Sequence, residues 1–600
     1  MKILGVSGLY HDSAAALLID GEIVSAAQEE RFTRIKHDKA LPEHAIAFCL
    51  RDNAIRAEDL DAVIYYDNPL LTLDRFLKSC AALGEKNETI IANQYEALFG
   101  EKMWIQKNLK ELLSGFGKSK KLLVCEHHMS HAAYAFYSSP FEDAAILTMD
   151  GVGEWATTSL GIGEGEAITM LRQIDYPHSL GLLYSAFTYF CGFKVNSGEY
   201  KLMGLAPFGK PRYCDLIKRE LIDIKEDGSY QLKTDAFTFM EGEAMTGEVF
   251  ERIFGCKRRL PETEIESIYL DLAASVQKVT EEVVLGMARH LKSISGKSNL
   301  CLSGGVALNC VANGVLSREN VFDNVFIPPA AGDAGGSVGA CLYAYHQYFR
   351  RKRKVKDLAN LVFLGPGFST EEEKESLDQL DAVYRIVNNT DELLAETAKA
   401  LAGSKIVGFF NGRMEFGPRA LGARSILADP RDEGMQSKLN LKIKYRESFR
   451  PFAPAVLAEH ASSVFDMEGT SPYMLLVAPV REELRRACAT HSESIMEWVN
   501  EARSAIPAVT HVDYSARVQT VCKKDNERFY RLMETFYRLT GCPLLVNTSF
   551  NVRGEPIVCT PQEAYECFMH TEMDMLVMDD LLLYKEEQPP FENRRMHALD

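Results

Sequence analysis

The strongest constraint in this sequence is a strand pattern that occurs twice. An apolar run at 2–7 is followed by a polar loop carrying His11 and Asp12, a second run at 14–19, an Asp20-Gly21 turn and a third run at 23–27. From Ala144 the pattern returns: a run at 145–148, the acidic loop Asp150-Gly151-Val152-Gly153, a run at 157–161, a Gly-rich turn, and a run from Ala167. Short aliphatic runs separated by Asp-Gly and Gly-rich turns predict antiparallel hairpins. An acid-bearing loop at the same place in each copy predicts two equivalent halves.

The expected fold class is therefore α/β, with an N-terminal domain made of duplicated ribonuclease H-like halves facing each other across a nucleotide cleft. Helical apolar spacing is read at 42–50, 96–113 and, at greatest length, 268–291. A short buried strand at 122–125 leads into a helix near His128, and a strand at 299–302 runs into Ser303-Gly304-Gly305 and a further helix. A strand that ends in Gly-Gly and opens a helix lets backbone amides approach a phosphate or ribose. The chain has 600 residues, more than one core normally serves, so at least two domains are expected. From about residue 360 the texture changes. A strand at 405–410 feeds a loop rich in Gly and Arg, and a second α/β domain is expected whose loops converge on anions.

Composition excludes several classes. A net charge of −17 argues against sequence-independent nucleic-acid binding, which needs clustered cations. The basic run Arg350 to Lys354 with Lys356 has no interleaved aromatics and reads as a solvated connector. The 14 cysteines form no Cys-x-x-Cys pair and suit free thiols of a reducing compartment. With no signal peptide and no apolar run of membrane-spanning length, a cytoplasmic protein without membrane association is expected. A homodimer is the default oligomer.

Four acidic and histidine signatures carry the chemistry. His127 and His131 are four apart, which on a helix sets both imidazoles on one face. Asp150 and Asp333 each lie in a Gly-rich turn, and two His with two carboxylates suit a divalent transition metal such as iron, manganese or zinc. His128 is taken as a bystander. His11 and Asp12 occupy the loop where the first half meets phosphate, and an imidazole there can take a hydroxyl proton. Glu199 and Lys201 are read as one side of an extended pocket wall. In the second domain Arg419, Arg424, Lys444, Arg446, Arg450, Arg517 and Arg553 sit beside turns, where cations bind phosphate oxygens. Ser549 and Asn551 add neutral hydrogen bonds.

These residues carry a resemblance. Tyr10-His11-Asp12, Glu29-Glu30-Arg31-Phe32, His127 to His131, Met149-Asp150-Gly151, Lys201 to Pro207, Ser303-Gly304-Gly305, Gly332-Asp333-Ala334-Gly335, Phe416 to Gly422 and Asn547 to Asn551 occur in one order. The sequence resembles the O-carbamoyltransferases, the family of nodulation and cephem carbamoyltransferases and nebramycin 5′ synthase. The resemblance implies a TsaD-like domain of the actin-like ATPase superfold over 1–355, completed by 560–586, and a YrdC-like domain over 356–559. It further implies that carbamoyl phosphate and ATP, with Mg2+, form carbamoyl adenylate in the YrdC-like domain, using Arg419, Arg424, Lys444, Arg446, Arg450, Arg517, Asn547, Ser549 and Asn551. The carbamoyl group then passes to a hydroxyl of a small-molecule acceptor in the TsaD-like domain. There His127, His131, Asp150 and Asp333 hold Fe2+, His11 and Asp12 act in catalysis, and Gly151, Glu199, Lys201, Gly304, Gly305 and Asn309 bind the adenylate. The rivals are a transfer-RNA threonylcarbamoyl-type enzyme, a nucleotide-gated binding protein of the same superfold, and a sugar kinase.

Overall fold

The computed structural model describes residues 1–84, 88–117, 119–242, 244–355, 361–446, 449–488, 498–499 and 501–591. Two compact units divide the chain: Met1–Thr33 with His37–Leu358, and Arg34–Lys36 with Ala359–Asp600.

In the first unit, β1 (Lys2–Ser7), β2 (Ala14–Ile19), β3 (Glu22–Gln28), β4 (Ala62–Tyr65) and β5 (Lys121–Val124) form one sheet in the order β3-β2-β1-β4-β5. β1 is antiparallel to β2 and parallel to β4. After β6 (Asp143–Met149), β7 (Ala156–Glu164) and β8 (Ala167–Asp175) comes a small separate hairpin, β9 (Ile222–Ile224) with β10 (Tyr230–Leu232). β11 (Asn299–Ser303) and β12 (Asn324–Phe326) complete a second large sheet, β8-β7-β6-β11-β12. β6 is antiparallel to β7 and parallel to β11. Strand for strand this is the topology of the first sheet, so the repeated pattern is a duplicated ribonuclease H-like half. The inner strands β1 and β6 are buried almost end to end, as strands covered on both faces require.

The helix Gly336–Tyr343 packs on both the helix His127–Ser138 and strands β1 and β2. Small residues permit this approach. A Cβ on Gly339 would lie 1.9 Å from the Ser130 carbonyl oxygen, and one on Gly5 would lie 2.0 Å from that of Ser337. The consequence for the site is direct: Asp333, three residues ahead of this helix, is brought against the two histidines.

Two local expectations are corrected. The segment expected as one helix over 96–113 is helical but not regular: Glu88–Glu96 passes into a π-helical turn over Ala97–Glu101 and a 3-10 turn over Lys102–Trp104 before the α-helix Ile105–Leu112. The interruption turns Lys102 inward, where its buried ammonium pairs with the buried carboxylate of Asp67. The basic run is not wholly a solvated connector. Arg350, Arg351, Lys352 and Lys354 are exposed, but Arg353 donates to the carbonyls of Phe136, Ser139 and Phe141 and lies 4.2 Å from the Phe136 ring centroid. It caps the C-terminus of the histidine-bearing helix. Lys356 lies outside the described residues. All fourteen cysteines are free thiols.

The second unit is a mixed nine-stranded sheet of β13 (Arg385–Ile386), β14 (Val407–Phe410), β15 (Arg424–Ala428), β16 (Ala453–Leu457), β17 (Leu476–Pro479), β18 (Ser515–Val521), β19 (Leu544–Ser549), β20 (Met575–Met578) and β21 (Leu581–Tyr584). Its order is β13-β21-β20-β14-β15-β19-β16-β18-β17. Residues 560–586 therefore do not return to the first domain, as the resemblance implied. β20 pairs in parallel with β14, and the helix Pro561–His570 packs on both strands. Among the described residues no helix is long and apolar enough to cross a membrane.

Candidate active site

The helix His127–Ser138 begins directly after β5, and its first backbone N–H, that of His127, donates to both Glu154 carboxylate oxygens at 2.9 and 3.0 Å. Spacing of four then brings the two imidazoles edge to face, with their Nε2 atoms 3.1 Å apart. Asp150 follows β6, and its Oδ2 lies 3.0 Å from His127 Nε2 and 3.1 Å from His131 Nε2. Asp333 Oδ1 lies 3.6 and 3.5 Å from the same nitrogens. All four residues are buried, and one ligand atom from each falls within 4.8 Å of the others.

Asp333 Oδ1 is buried and has no hydrogen-bond partner among the described residues. A buried carboxylate oxygen left unpaired beside two imidazole nitrogens is costly unless a cation joins them. The donor set, two nitrogens and two oxygens, fits a divalent transition metal. The other Asp150 oxygen is fixed by the N–H groups of Gly151 at 2.8 Å and Gly305 at 3.1 Å. Gly304 makes that approach possible. Its φ is +94°, and a Cβ there would stand 2.2 Å from the Met149 carbonyl oxygen.

Burial alone disfavours every charge here, and neighbouring opposite charges overturn it. Hydrogen bonds from His127 and His131 hold the Asp150 carboxyl well below the usual range despite burial. Burial pulls the His131 imidazole down, but Asp150 and Asp333 hold it up at about 9. His128 has no such partner and is pushed well below the usual imidazole range by burial and by its two histidine neighbours. It bonds to Thr148 Oγ1 and Ser159 Oγ instead, which suits a bystander.

His11 reaches the edge of this cluster, with Nε2 3.7 Å from Asp333 Oδ2 and Nδ1 3.0 Å from Asp12 Oδ2. Against burial, Asp333 and Asp12 raise its imidazole to about 10. Two residues not read from the sequence stand close by. Tyr66, just past β4, donates to Asp333 Oδ2 at 3.4 Å, and Glu154 caps the histidine helix. Glu154 follows Asp150 by four residues in the same Gly-rich loop, so its acidic character in that loop was the available signal.

The expected adenylate-binding residues behave unequally. Gly151 and Gly305 line the Asp150 carboxylate, and Gly304 lies against the Met149 backbone beside it. Glu199 and Lys201 do not share a side of an extended run: they lie in the helix Glu199–Leu205, where a separation of two turns side chains apart. Glu199 accepts from Ser185 Oγ and the Asn196 N–H, and Lys201 is buried. Asn309 caps the helix Cys310–Arg318 and forms a double amide pair with Gln277 at 3.1 and 3.0 Å.

In the second unit Lys444, Ser549 and Asn551 do meet. The Lys444 ammonium donates to Asn551 Oδ1 at 2.9 Å, to the Asn551 carbonyl at 3.0 Å and to the Ser549 carbonyl, and Ser549 Oγ donates to Asn551 Oδ1 at 2.7 Å. Burial, with Arg446 nearby, pushes this lysine well below its usual range. Arg446 donates through Nε to Asn440 and stacks 4.9 Å from the Phe452 centroid. Arg450 is buried, Arg517 is half-buried on β18, and the Arg553 N–H donates to the Lys444 carbonyl.

Arg424 and Asn547 leave the expected phosphate-binding set. The Arg424 guanidinium is fully buried, donates to the carbonyls of Pro366, Asn411, Gly412 and Ala423, and lies 3.5 Å from the Phe410 centroid. Asn547 bonds to Gln519 and the Ala420 carbonyl. Arg419 belongs to a loop organised by Glu415, whose Oε1 accepts N–H groups from Leu421, Ala423 and Arg424 at 2.7, 2.7 and 3.2 Å.

Comparison with known proteins bears on this arrangement. Residues 2–342 match the family described as carbamoyltransferase N-terminus, and residues 398–585 match carbamoyltransferase C-terminus. The chain is 52% identical to the uncharacterized protein sll1178 of Synechocystis sp., over 98% of this chain and 97% of that one. It is 34% identical to nodulation protein NolNO of Sinorhizobium fredii, over 97% and 80%. It is 35% identical to nodulation protein NolO of Bradyrhizobium diazoefficiens, over 76% and 78%. With both of its units matched in order, this chain belongs to the carbamoyltransferase family and is a carbamoyltransferase enzyme.

Proposed function

We propose that the protein is an ATP-dependent O-carbamoyltransferase that works in two steps. In the second unit carbamoyl phosphate, water and ATP, with Mg2+, give carbamoyl adenylate, pyrophosphate and phosphate: water cleaves the P–O bond of carbamoyl phosphate to release phosphate and carbamate, and the carbamate oxygen then attacks the α-phosphorus of ATP and displaces pyrophosphate. Arg419, Arg446, Arg450 and Arg517 would bind the phosphate oxygens, with the Lys444-Ser549-Asn551 triad shaping the site beside Arg446. In the first unit the carbamoyl group passes to a hydroxyl of a small-molecule acceptor.

The buried cluster of His127, His131, Asp150 and Asp333, with its unpaired carboxylate oxygen, carries this reading. These four residues would hold a divalent transition metal, for which we infer iron. Such an ion supplies Lewis-acid polarisation of a carbonyl oxygen when bound. The protein's own residues do the rest. Against burial, which lowers the His11 imidazole, Asp333 is the main cause that raises it, so with the Asp333 charge offset by a bound cation the ring would stand neutral. Oriented through Nδ1 by Asp12, it would offer Nε2 to the acceptor hydroxyl and take its proton as the oxygen attacks the carbamoyl carbon. The bond from carbamoyl carbon to phosphate oxygen breaks, and AMP leaves. The N–H groups of Gly151 and Gly305 keep Asp150 turned toward the histidines throughout.

Incubation with carbamoyl phosphate, ATP and a panel of hydroxylated metabolites should yield a product heavier by one carbamoyl group in mass spectrometry. His127→Ala is expected to lower transfer at least about 100-fold while pyrophosphate release continues. Arg446→Ala should do the reverse, stopping adenylate formation but accepting synthetic carbamoyl adenylate. Equal loss of both half-reactions in both variants would refute the division of labour.

A further inference from the structure

A histidine that serves as a base must be held in one tautomer and one orientation. Asp12 supplies this for His11, yet Asp12 lies on a loop and its own carboxylate must be fixed in turn. Its Oδ2 meets His11 Nδ1 at 3.0 Å, and its Oδ1 meets the Nδ1 of His37 at 2.8 Å. With both oxygens engaged, the carboxylate cannot turn without breaking a hydrogen bond. His37 is itself anchored, since its backbone N–H donates to Glu30 Oε2 at 2.8 Å and the other Glu30 oxygen pairs with Arg31 at 2.7 Å. Glu30 and Arg31 are buried.

The backbone gives an independent sign. Asp12 and His37 both adopt left-handed conformations, with φ of +51° and +56°. Neither is glycine, so each conformation costs energy that the surrounding contacts must offset, and such strain gathers at functional sites. Here the two strained residues bond to each other.

We propose that His37 is a positioning residue for transfer. Its Nδ1 fixes the Asp12 carboxylate, which fixes the His11 ring so that Nε2 faces the Asp333 carboxylate and the incoming hydroxyl. This rests on the reading of His11 as the base. His37 does not touch substrate, so its removal should lower turnover and leave adenylate binding intact.

The test uses the full-length protein and synthetic carbamoyl adenylate, with AMP release followed in water and in glycerol as acceptors. His37→Phe fills the space without a donor and is expected to lower kcat by about 10- to 100-fold, with KM for carbamoyl adenylate changed less than about twofold. His37→Asn places an amide N–H near the position of Nδ1 and should recover most of the rate. His37→Gln, whose donor lies farther out, should not. In a His11→Asn background, His37→Phe should cause no further loss. Should His11→Asn itself retain the wild-type rate, the base reading fails. Should His11→Asn be inactive while His37→Phe matches wild type, or His37→Asn is as slow as His37→Gln, the positioning role alone fails. A loss that appears in KM rather than kcat would also overturn it.

Discussion

Asp333 is the side chain on which the most depends, because its Oδ1 is both buried and unpaired beside two imidazoles. Asp333→Asn keeps the volume and an acceptor for Tyr66 but removes the charge. The affinity for added Fe2+ or Mn2+, read by calorimetry, should fall at least about tenfold. A variant that binds as tightly as wild type would exclude Asp333 from the cation site. This aspartate was legible in sequence because a carboxylate between glycines has few structural uses. Arg424 was misread for the converse reason: cations beside Gly and Pro turns include those that clamp the turn's own carbonyls, and only the fold separates the two. Glu373 went unread, although it is fully buried in the helix Thr370–Asp378. Burial and the neighbouring Asp579 carboxylate push its carboxyl up to about 9. A raised folded pKa stabilises most below the unfolded value near 4.5, and that contribution is lost as pH rises toward 9. Glu373→Gln, a permanent mimic of the protonated form, should match wild type in denaturant at pH 5. At pH 8.5 it should be more stable by about 1–3 kcal/mol. Equal stability at both pH values would show that Glu373 ionises freely.

At the scale of elements, the duplicated hairpins were readable because their signals are local: short continuous aliphatic runs, Asp-Gly and Gly-rich turns and an acid in each loop. The helix Glu199–Leu205 was not, since its glycines and the nearby proline mimic a loop and its first turn is held by tertiary contacts. The return of β20 to β14 was hidden for a different reason. A parallel pairing between distant segments leaves no mark in either strand, and only the sheet decides which unit they join. The packing of helix Gly336–Tyr343 on helix His127–Ser138 makes a sharper claim. A Cβ at position 339 would lie 1.9 Å from the Ser130 carbonyl, a backbone atom with no flexible end to move aside. Gly339→Ala should force the helices apart, cost about 3 kcal/mol or more in denaturant unfolding, and weaken cation binding by withdrawing Asp333 from the histidines. Loss of stability with cation affinity unchanged would mean that Asp333 is positioned independently of this contact.

At the scale of the molecule, each unit has the means to fold by itself, and this can be tested without any substrate. The buried core cluster of the second unit runs from Leu377 to Leu583, including Phe409, Phe410, Ile426, Phe529, Leu545 and Val577, and Phe368 and Phe591 pack against it from either side of that span. From the early chain it takes the segment Arg34–Lys36, whose Arg34 donates to the carbonyls of Ile557 and Pro556 at 2.7 and 2.8 Å and pairs with Glu563 at 3.4 Å. Two such hydrogen bonds contribute about 1–3 kcal/mol together, against a domain stability of about 5–15 kcal/mol. A fragment of residues 361–591 should therefore unfold cooperatively in calorimetry, with Tm lowered by several degrees rather than abolished. A divalent cation that binds only folded protein raises Tm by mass action. Fe2+ or Mn2+ should thus raise a transition of the full-length protein while leaving that of the fragment where it was, because His127, His131, Asp150 and Asp333 all belong to the first unit. A cation-dependent shift in the fragment would put the binding site outside that cluster, and a fragment without a cooperative transition would show that the second core is not self-sufficient.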